Sequence, residues 1–219
     1  MFQGKMKAVT LSYDDGILQD IRLIEMLDKY GLKCTFNLNS ERVNERTVPL
    51  EQVAEVYKNH EVAGHTLNHY SLKNLNNEEI IRQVEKDRIN LESIVGYPVY
   101  GFAYPYGSPT ADERVLNLMK EQTQIRYARG TDLTYGFELP NDLLHIHPTI
   151  HQIQYEKLFE LAHEFVTLQP DTPKLFYVYG HSYEFDYEDG KGWEKMEEFC
   201  KIISGRDDMF YGTNREVLL

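Results

Sequence analysis

The chain has 219 residues, with 23 Lys and Arg against 35 Asp and Glu, giving a formal charge of -12 and a pI near 5.1. So acidic a chain lacks the basic footprint that a nucleic acid or an anionic membrane surface demands, so no nucleic acid and no membrane is expected as a partner, and a neutral or cationic substrate suits it better. The length suits one α/β domain over residues 1–219, undivided by any Pro/Gly/Ser-rich linker, and no apolar run approaches the roughly 18 residues of a membrane span.

In chain order, Met1 to Lys7 lacks a signal-peptide core, so the expected location is cytoplasmic as written, and secreted only if a leader was removed. Phe2-Gln3-Gly4 reads as a processing scar ahead of Met6, so residues 1–6 are expected to be non-native in origin or disordered. Beyond them, short β-rich runs alternate with amphipathic helical patterns. Strands are predicted over Ala8–Ser12, Lys33–Asn37, Glu61–Gly64, Val99–Tyr104, Ile125–Ala128, Leu143–His147 and Leu175–Tyr179. Helices are predicted over Ile17–Tyr30, Leu50–His60, Asn77–Val95, Ala111–Gln122, Gln154–Leu168 and Trp193–Ile203. Strand then helix, repeated, predicts a parallel α/β barrel or open sheet. Cys34 and Cys200 show no ligand spacing and read as two reduced, buried thiols.

The polar clusters fall after the strands. Asp14 and Asp15 follow the first, His65 and His69 the third, Tyr104-Pro105-Tyr106-Gly107 the fourth, and Gly180-His181-Ser182 the last. In parallel α/β folds that edge gathers ligand-binding loops from distant parts of the chain. One carboxylate and two imidazoles can hold a catalytic metal and leave a position open for water, and the second carboxylate is then free to act as a base. Each piece alone has a plainer reading: Asp-Gly is a turn signal, and two histidines four apart can share an exposed helix face.

Together these residues resemble the metal-dependent polysaccharide deacetylases, the fourth carbohydrate esterase family, over nearly the whole chain from Lys7 to about Ile203. Tyr13-Asp14-Asp15-Gly16 matches the first motif and His65-Thr66-Leu67-Asn68-His69 the second. Pro105-Tyr106-Gly107 matches the third, and Phe176 to His181 the final strand ending in a histidine. The resemblance implies a distorted (β/α) barrel of about seven parallel strands. It implies Asp15, His65 and His69 as ligands of a divalent metal, Asp14 as general base, His181 as general acid and the Tyr106 backbone N–H as oxyanion donor. Zinc is the default ion, and cobalt, nickel or manganese can fill the same donors. The third motif departs from the family, because Ala103 stands where an arginine usually contacts the base. Arg129, at the end of the fifth strand, is the candidate to supply that cation from elsewhere.

Around these, Tyr104, Pro105 and Tyr183 are expected to touch substrate, and Tyr104, Tyr106, Tyr183, Phe185, Tyr187 and Trp193 are candidate sugar platforms. His145, His147 and His151 form a loose group that could line the cleft or offer an alternative metal site. His60 and His163 read as helix-surface residues. The expected activity is removal of acetyl from an N- or O-acetylated saccharide, small or oligomeric, by a metal-activated water. The alternatives are hydrolysis of a non-peptide C–N bond in a small amide on the same fold, and a non-catalytic carbohydrate-binding protein.

Overall fold

Lys7–Asp14 (β1) is a run of apolar and small polar residues, and all eight are buried, as a central strand covered on both faces requires. In the computed structural model, which describes residues 2–219, β1 is followed by β2 (Cys34–Leu38), β3 (Glu61–Gly64), β4 (Gly101–Ala103) and β5 (Tyr127–Arg129). The remaining strands are β6 (Ile150–His151), β7 (Lys174–Gly180) and β8 (Met209–Tyr211). All their pairings are parallel, in the order β5-β4-β3-β2-β1-β7-β6, with β8 added to β1. The strands curl into a distorted (β/α) barrel. The longer helices that cover them are α1 (Gln19–Lys29), α2 (Leu50–Val56), α5 (Glu113–Gln122), α6 (Tyr155–Thr167) and α7 (Lys191–Ile203), with α3 (Asn77–Ile81) and α4 (Asp87–Val95) forming one interrupted helix and α8 (Asn214–Leu218) closing the chain. Among the described residues no helix is long and apolar enough to cross a membrane.

The sixth predicted strand is displaced. Of Leu143–His147 only Ile146 makes a bridge, to Arg129, while regular pairing with β7 begins at Ile150. Pro148 separates the two stretches and has no N–H to offer a ladder. The segment spans the gap between the outer strands: Ile146 N–H donates to Ala128 O at 2.9 Å, and Thr149 N–H to Tyr177 O at 2.8 Å. The last strand, β8, has three residues, too few for a readable alternation, and pairs with Lys7–Val9 of β1.

The N-terminal segment is packed from Phe2 onward rather than disordered. Phe2 is 2% exposed, stacks on Phe210, and joins a cluster with Ala8, Tyr127, Ile146 and Tyr177. Lys7 is buried as well, and its ammonium donates to the carbonyls of Phe165, Val166 and Leu168 at 3.0–3.2 Å, cations being favoured at a helix C-terminus. His60 is not a surface residue: it is 6% exposed, its Nδ1 accepts the Cys34 N–H at 3.2 Å, and its ring meets Phe36 edge-on.

The helix predicted over Asn77–Val95 is interrupted rather than continuous. Asn76 caps its start by accepting the Glu79 N–H at 2.9 Å, and Gly96, at φ 76°, ends it. Between α3 and α4 the turn Arg82–Lys86 is a π-helix, the wider winding that commonly marks a functional position.

Candidate active site

Four strands deliver their C-terminal ends to one cavity of about 370 Å³, lined among others by Asp14, Asp15, His65, His69, Tyr106 and His181. Asp14 is the last residue of β1, buried at 4% exposure. Its carboxylate accepts from Asn37 Nδ2 at 2.8 Å and is held by the Arg129 guanidinium, itself fully buried, through Nη2 to both oxygens. Burial would raise this carboxyl, but Arg129, with His65 and His181, outweighs it and holds Asp14 well below the usual carboxylate range. Arg129 is fixed by Gly130 O at 3.0 Å and by stacking 4.6 Å from the Tyr179 ring. In the parallel register Arg129 stands beside Ala103. The cation missing at Ala103 is therefore present one strand over.

Asp15 turns away from its neighbour because its φ is 80°. Its Oδ1 lies 3.6 Å from His69 Nε2 and 2.9 Å from the half-exposed Arg42 guanidinium. One donor atom from each of Asp15, His65 and His69 lies within 4.8 Å of the other two. Tetrahedral ligands about 2.0–2.2 Å from a divalent ion are themselves separated by about 3.3–3.6 Å. The His65 ring is oriented by its neighbour, since Nδ1 lies 2.7 Å from Ala103 O, which fixes the proton there and leaves Nε2 as a free donor. Burial lowers both imidazoles, His69 to about 4, so both are neutral donors at ordinary pH. The donor set, its spacing and its protonation fit a divalent ion.

Asp15, Thr66, His69 and Tyr106 all hold positive φ without being glycine. Each such residue costs about 1–3 kcal/mol and persists only where surroundings over-determine it. For the histidine turn, the surroundings are the π-helical segment. Asp87, fully buried, accepts the His65 N–H at 3.0 Å and the Ser40 N–H at 2.8 Å. Gln83 accepts the Leu67 N–H at its carbonyl, 3.1 Å, and the Asn68 N–H at its side chain, 3.3 Å. Neither residue was legible in the sequence, because each acts by accepting hydrogen bonds from loops that are distant along the chain.

His181 follows β7. Its Nδ1 lies 3.3 Å from Glu184 Oε1, and its backbone N–H donates to Glu184 Oε2 at 3.0 Å. Burial would lower the ring, but Glu184, Asp14 and Asp15 raise it above its ordinary value. Glu184 was missed by sequence reasoning, although its place three residues after His181, within one tight turn, is a signal that could have found it. Behind it, Ser182 donates to the fully buried Asp20 at 2.5 Å, which Tyr57 also reaches at 2.8 Å.

The remaining expectations divide. Tyr106 is 67% exposed with its ring 4.8 Å from His69, and its N–H meets no acceptor among the described residues. Tyr183 lies 5.0 Å from His181 and lines the cavity. Tyr104 reaches the cavity only as buried floor, its hydroxyl on Leu144 O at 2.8 Å. Pro105 is buried and does not line the cavity; its carbonyl accepts the Thr110 hydroxyl at 2.9 Å, so it shapes the turn. Phe185 and Trp193 pack on each other in the core, leaving Tyr106, Tyr183 and Tyr187 as the ring surfaces near the cleft. His145 and His147 face each other at 4.7 Å, apart from His151, which lies beside His181. Among the described residues they form no common metal site. A second, larger cavity of about 770 Å³ adjoins the first through Asp15, Arg42 and Tyr183.

These features match known sequences. The polysaccharide deacetylase family model covers residues 3–127, more than half of the 219, and the chain belongs to this family. It is 28% identical over 126 residues to a bifunctional xylanase/deacetylase of Pseudobutyrivibrio xylanivorans, covering 57% of this chain and 20% of that protein. It is 27% identical over 172 residues to chitin deacetylase 1 of Cryptococcus neoformans var. grubii, covering 74% of this chain and 36% of that one. The chain thus spans between a fifth and about a third of these relatives. Among solved structures, a pseudoenzyme of the fourth carbohydrate esterase family from Bacillus anthracis shares the fold at TM-score 0.60 and 19% identity, over 99% of this chain and 66% of that one.

Proposed function

We propose that this chain is a metal-dependent deacetylase that hydrolyses acetyl groups from acetylated saccharides, amides in preference to esters. The observation that carries the reading is the separation of the two adjacent carboxylates: Asp14 locked to buried Arg129, Asp15 turned toward two neutral imidazoles. Asp15, His65 and His69 would hold the divalent ion, zinc by default. Such an ion supplies Lewis-acid polarisation of an acetyl carbonyl and acidifies water. Asp14, kept ionised by Arg129, accepts the proton of the attacking water. The unpartnered Tyr106 N–H receives the carbonyl oxygen as negative charge builds on it.

His181 donates a proton to the leaving atom. An amine leaves poorly unless protonated, and the raised imidazolium favours an N-acetyl substrate for that reason. The adjoining 770 Å³ cleft, with Tyr183 and Tyr187 along it, favours an oligosaccharide over a free monosaccharide. The retained acid, base and ligand residues support catalysis over a pseudoenzyme role.

The test is acetate release by the zinc-loaded protein from chitooligosaccharides, acetylxylan and small N-acetyl sugars. Release from N-acetylated oligomers, abolished in Asp14→Asn, is the expected outcome. No acetate from any of them, with metal bound, would sink the reading.

A further inference from the structure

Glu184 stands between two imidazoles. His181 Nδ1 lies 3.3 Å from Oε1, and His151 Nε2 lies 3.5 Å from Oε2. One donor atom from each of the three residues lies within 4.8 Å of the other two. Charge-assisted hydrogen bonds between imidazolium and carboxylate close to about 2.7–2.9 Å. Both separations here are longer, and they match the about 3.3–3.4 Å between tetrahedral donors set roughly 2.0–2.1 Å from an ion. Moreover, His181 Nδ1 is buried, and although it faces Glu184 Oε1 at 3.3 Å it makes no hydrogen bond of good geometry among the described residues. Gln152 Nε2 donates to Glu184 Oε2 at 2.9 Å and to His181 O at 2.6 Å, so the carboxylate is held in place between the rings. The side chains of His181, His151 and Glu184 keep 22%, 14% and 10% exposure, so the cluster lies near the surface.

We propose that His151, His181 and Glu184 form a second divalent-cation site for zinc-type ions, weaker than the first, whose occupation switches the enzyme off. It shares no residue with the Asp15, His65 and His69 set. Its lower affinity follows from the tautomers. The Ala103 carbonyl presets His65 with a free Nε2, whereas His151 Nδ1 accepts the Ile153 N–H at 3.3 Å, which puts the proton on Nε2, where the ion must bind. Binding therefore displaces that proton and costs the Ile153 bond.

Inhibition rests on the reading of His181 as the acid. An ion at Nδ1 replaces the proton there, which leaves to solvent. The ring then keeps only the Nε2 proton of a neutral, coordinated imidazole, a far weaker acid than imidazolium, and the leaving amine goes unprotonated.

Zinc titration at neutral pH by equilibrium dialysis decides the matter. The wild-type protein should bind two ions per chain, the second about 10- to 100-fold more weakly, and His151→Ala should bind one. Acetate release should fall as the second ion binds in wild type and resist excess zinc in His151→Ala. Saturation at one ion, two ions retained in His151→Ala, or equal inhibition of both proteins would overturn the proposal. If zinc-loaded protein releases no acetate at all, the deacetylase reading fails, while the dialysis stoichiometry still decides the second site.

Discussion

Asp14 and Arg129 form a buried pair in which each partner explains the other. Removing one side of such a pair leaves an uncompensated charge, so Arg129→Met should destabilise the fold by about 3–5 kcal/mol, read from denaturant melts. The same change releases the Asp14 carboxyl upward, so the acid limb of kcat/KM should move to higher pH. Turnover and profile unchanged in Arg129→Ala would show that the cation beside Ala103 plays no part in catalysis. On the proposed mechanism the other limb belongs to His181. Its folded value is raised, so it contributes stability below its ordinary value near 6.5 that fades as pH rises through the folded value. His181→Ala should lose the alkaline limb of the rate profile, and Glu184→Gln should move that limb to lower pH. An unmoved limb in both would remove His181 from proton donation.

At the scale of elements, the site depends on a winding defect. The π-helical turn Arg82–Lys86 brings Gln83 and Asp87 against a loop whose own backbone is strained at Thr66 and His69. Asp87→Asn can accept only one of the two N–H groups that the carboxylate takes, so a buried donor goes unmet at about 1–3 kcal/mol. Zinc affinity should fall by about 10- to 100-fold, because His65, the first of the proposed ligands, loses its backbone anchor. A melt and a competitive chelator titration read the two effects separately; unchanged zinc affinity would reduce Asp87 to a purely structural role.

The motif residues were legible in the sequence because they follow strong strand signals and carry their chemistry in their own side chains. Asp15, His65, His69 and His181 were found from their order and spacing, and their roles from the resemblance to the deacetylase motifs. Asp87, Gln83, Glu184 and Asp20 act by accepting hydrogen bonds across loops, and a single sequence does not record which loops will touch. Strand boundaries failed for a related reason. Leu143–His147 has the apolar pattern of a strand, but the shape of the gap between β5 and β7, together with Pro148, moved the regular pairing to Ile150. Arg129 was found because the absence at Ala103 posed a question, and the register of β4 with β5 answers it.

For the molecule as a whole, the buried carboxyls set how stability varies with pH. Asp20 and Asp87 are pushed up to about 7, chiefly by burial. An acid whose folded value is raised keeps its proton in the native state while the unfolded chain loses it. Stability from this source is therefore complete below about pH 4 and declines as pH rises from there to about 7. Asp14 works in the opposite sense, contributing above the usual carboxylate range and losing that contribution only in strong acid. Asp20→Asn should flatten the decline between pH 4 and 7 in a series of thermal melts, and an unchanged slope would assign the decline to other groups.

The pairing of β1 also governs when the site comes into being. This strand borders β2, β7 and β8 at once, and Thr10 donates to Asn214 across 204 residues of sequence. Contacts so distant along the chain close slowly, because the loop entropy is lost before they form. The full seating of the strand bearing Asp14 should therefore wait for the C-terminal strands. In a refolding time course, zinc capture at Asp15, His65 and His69 should lag the recovery of helical circular dichroism and coincide with the last kinetic phase.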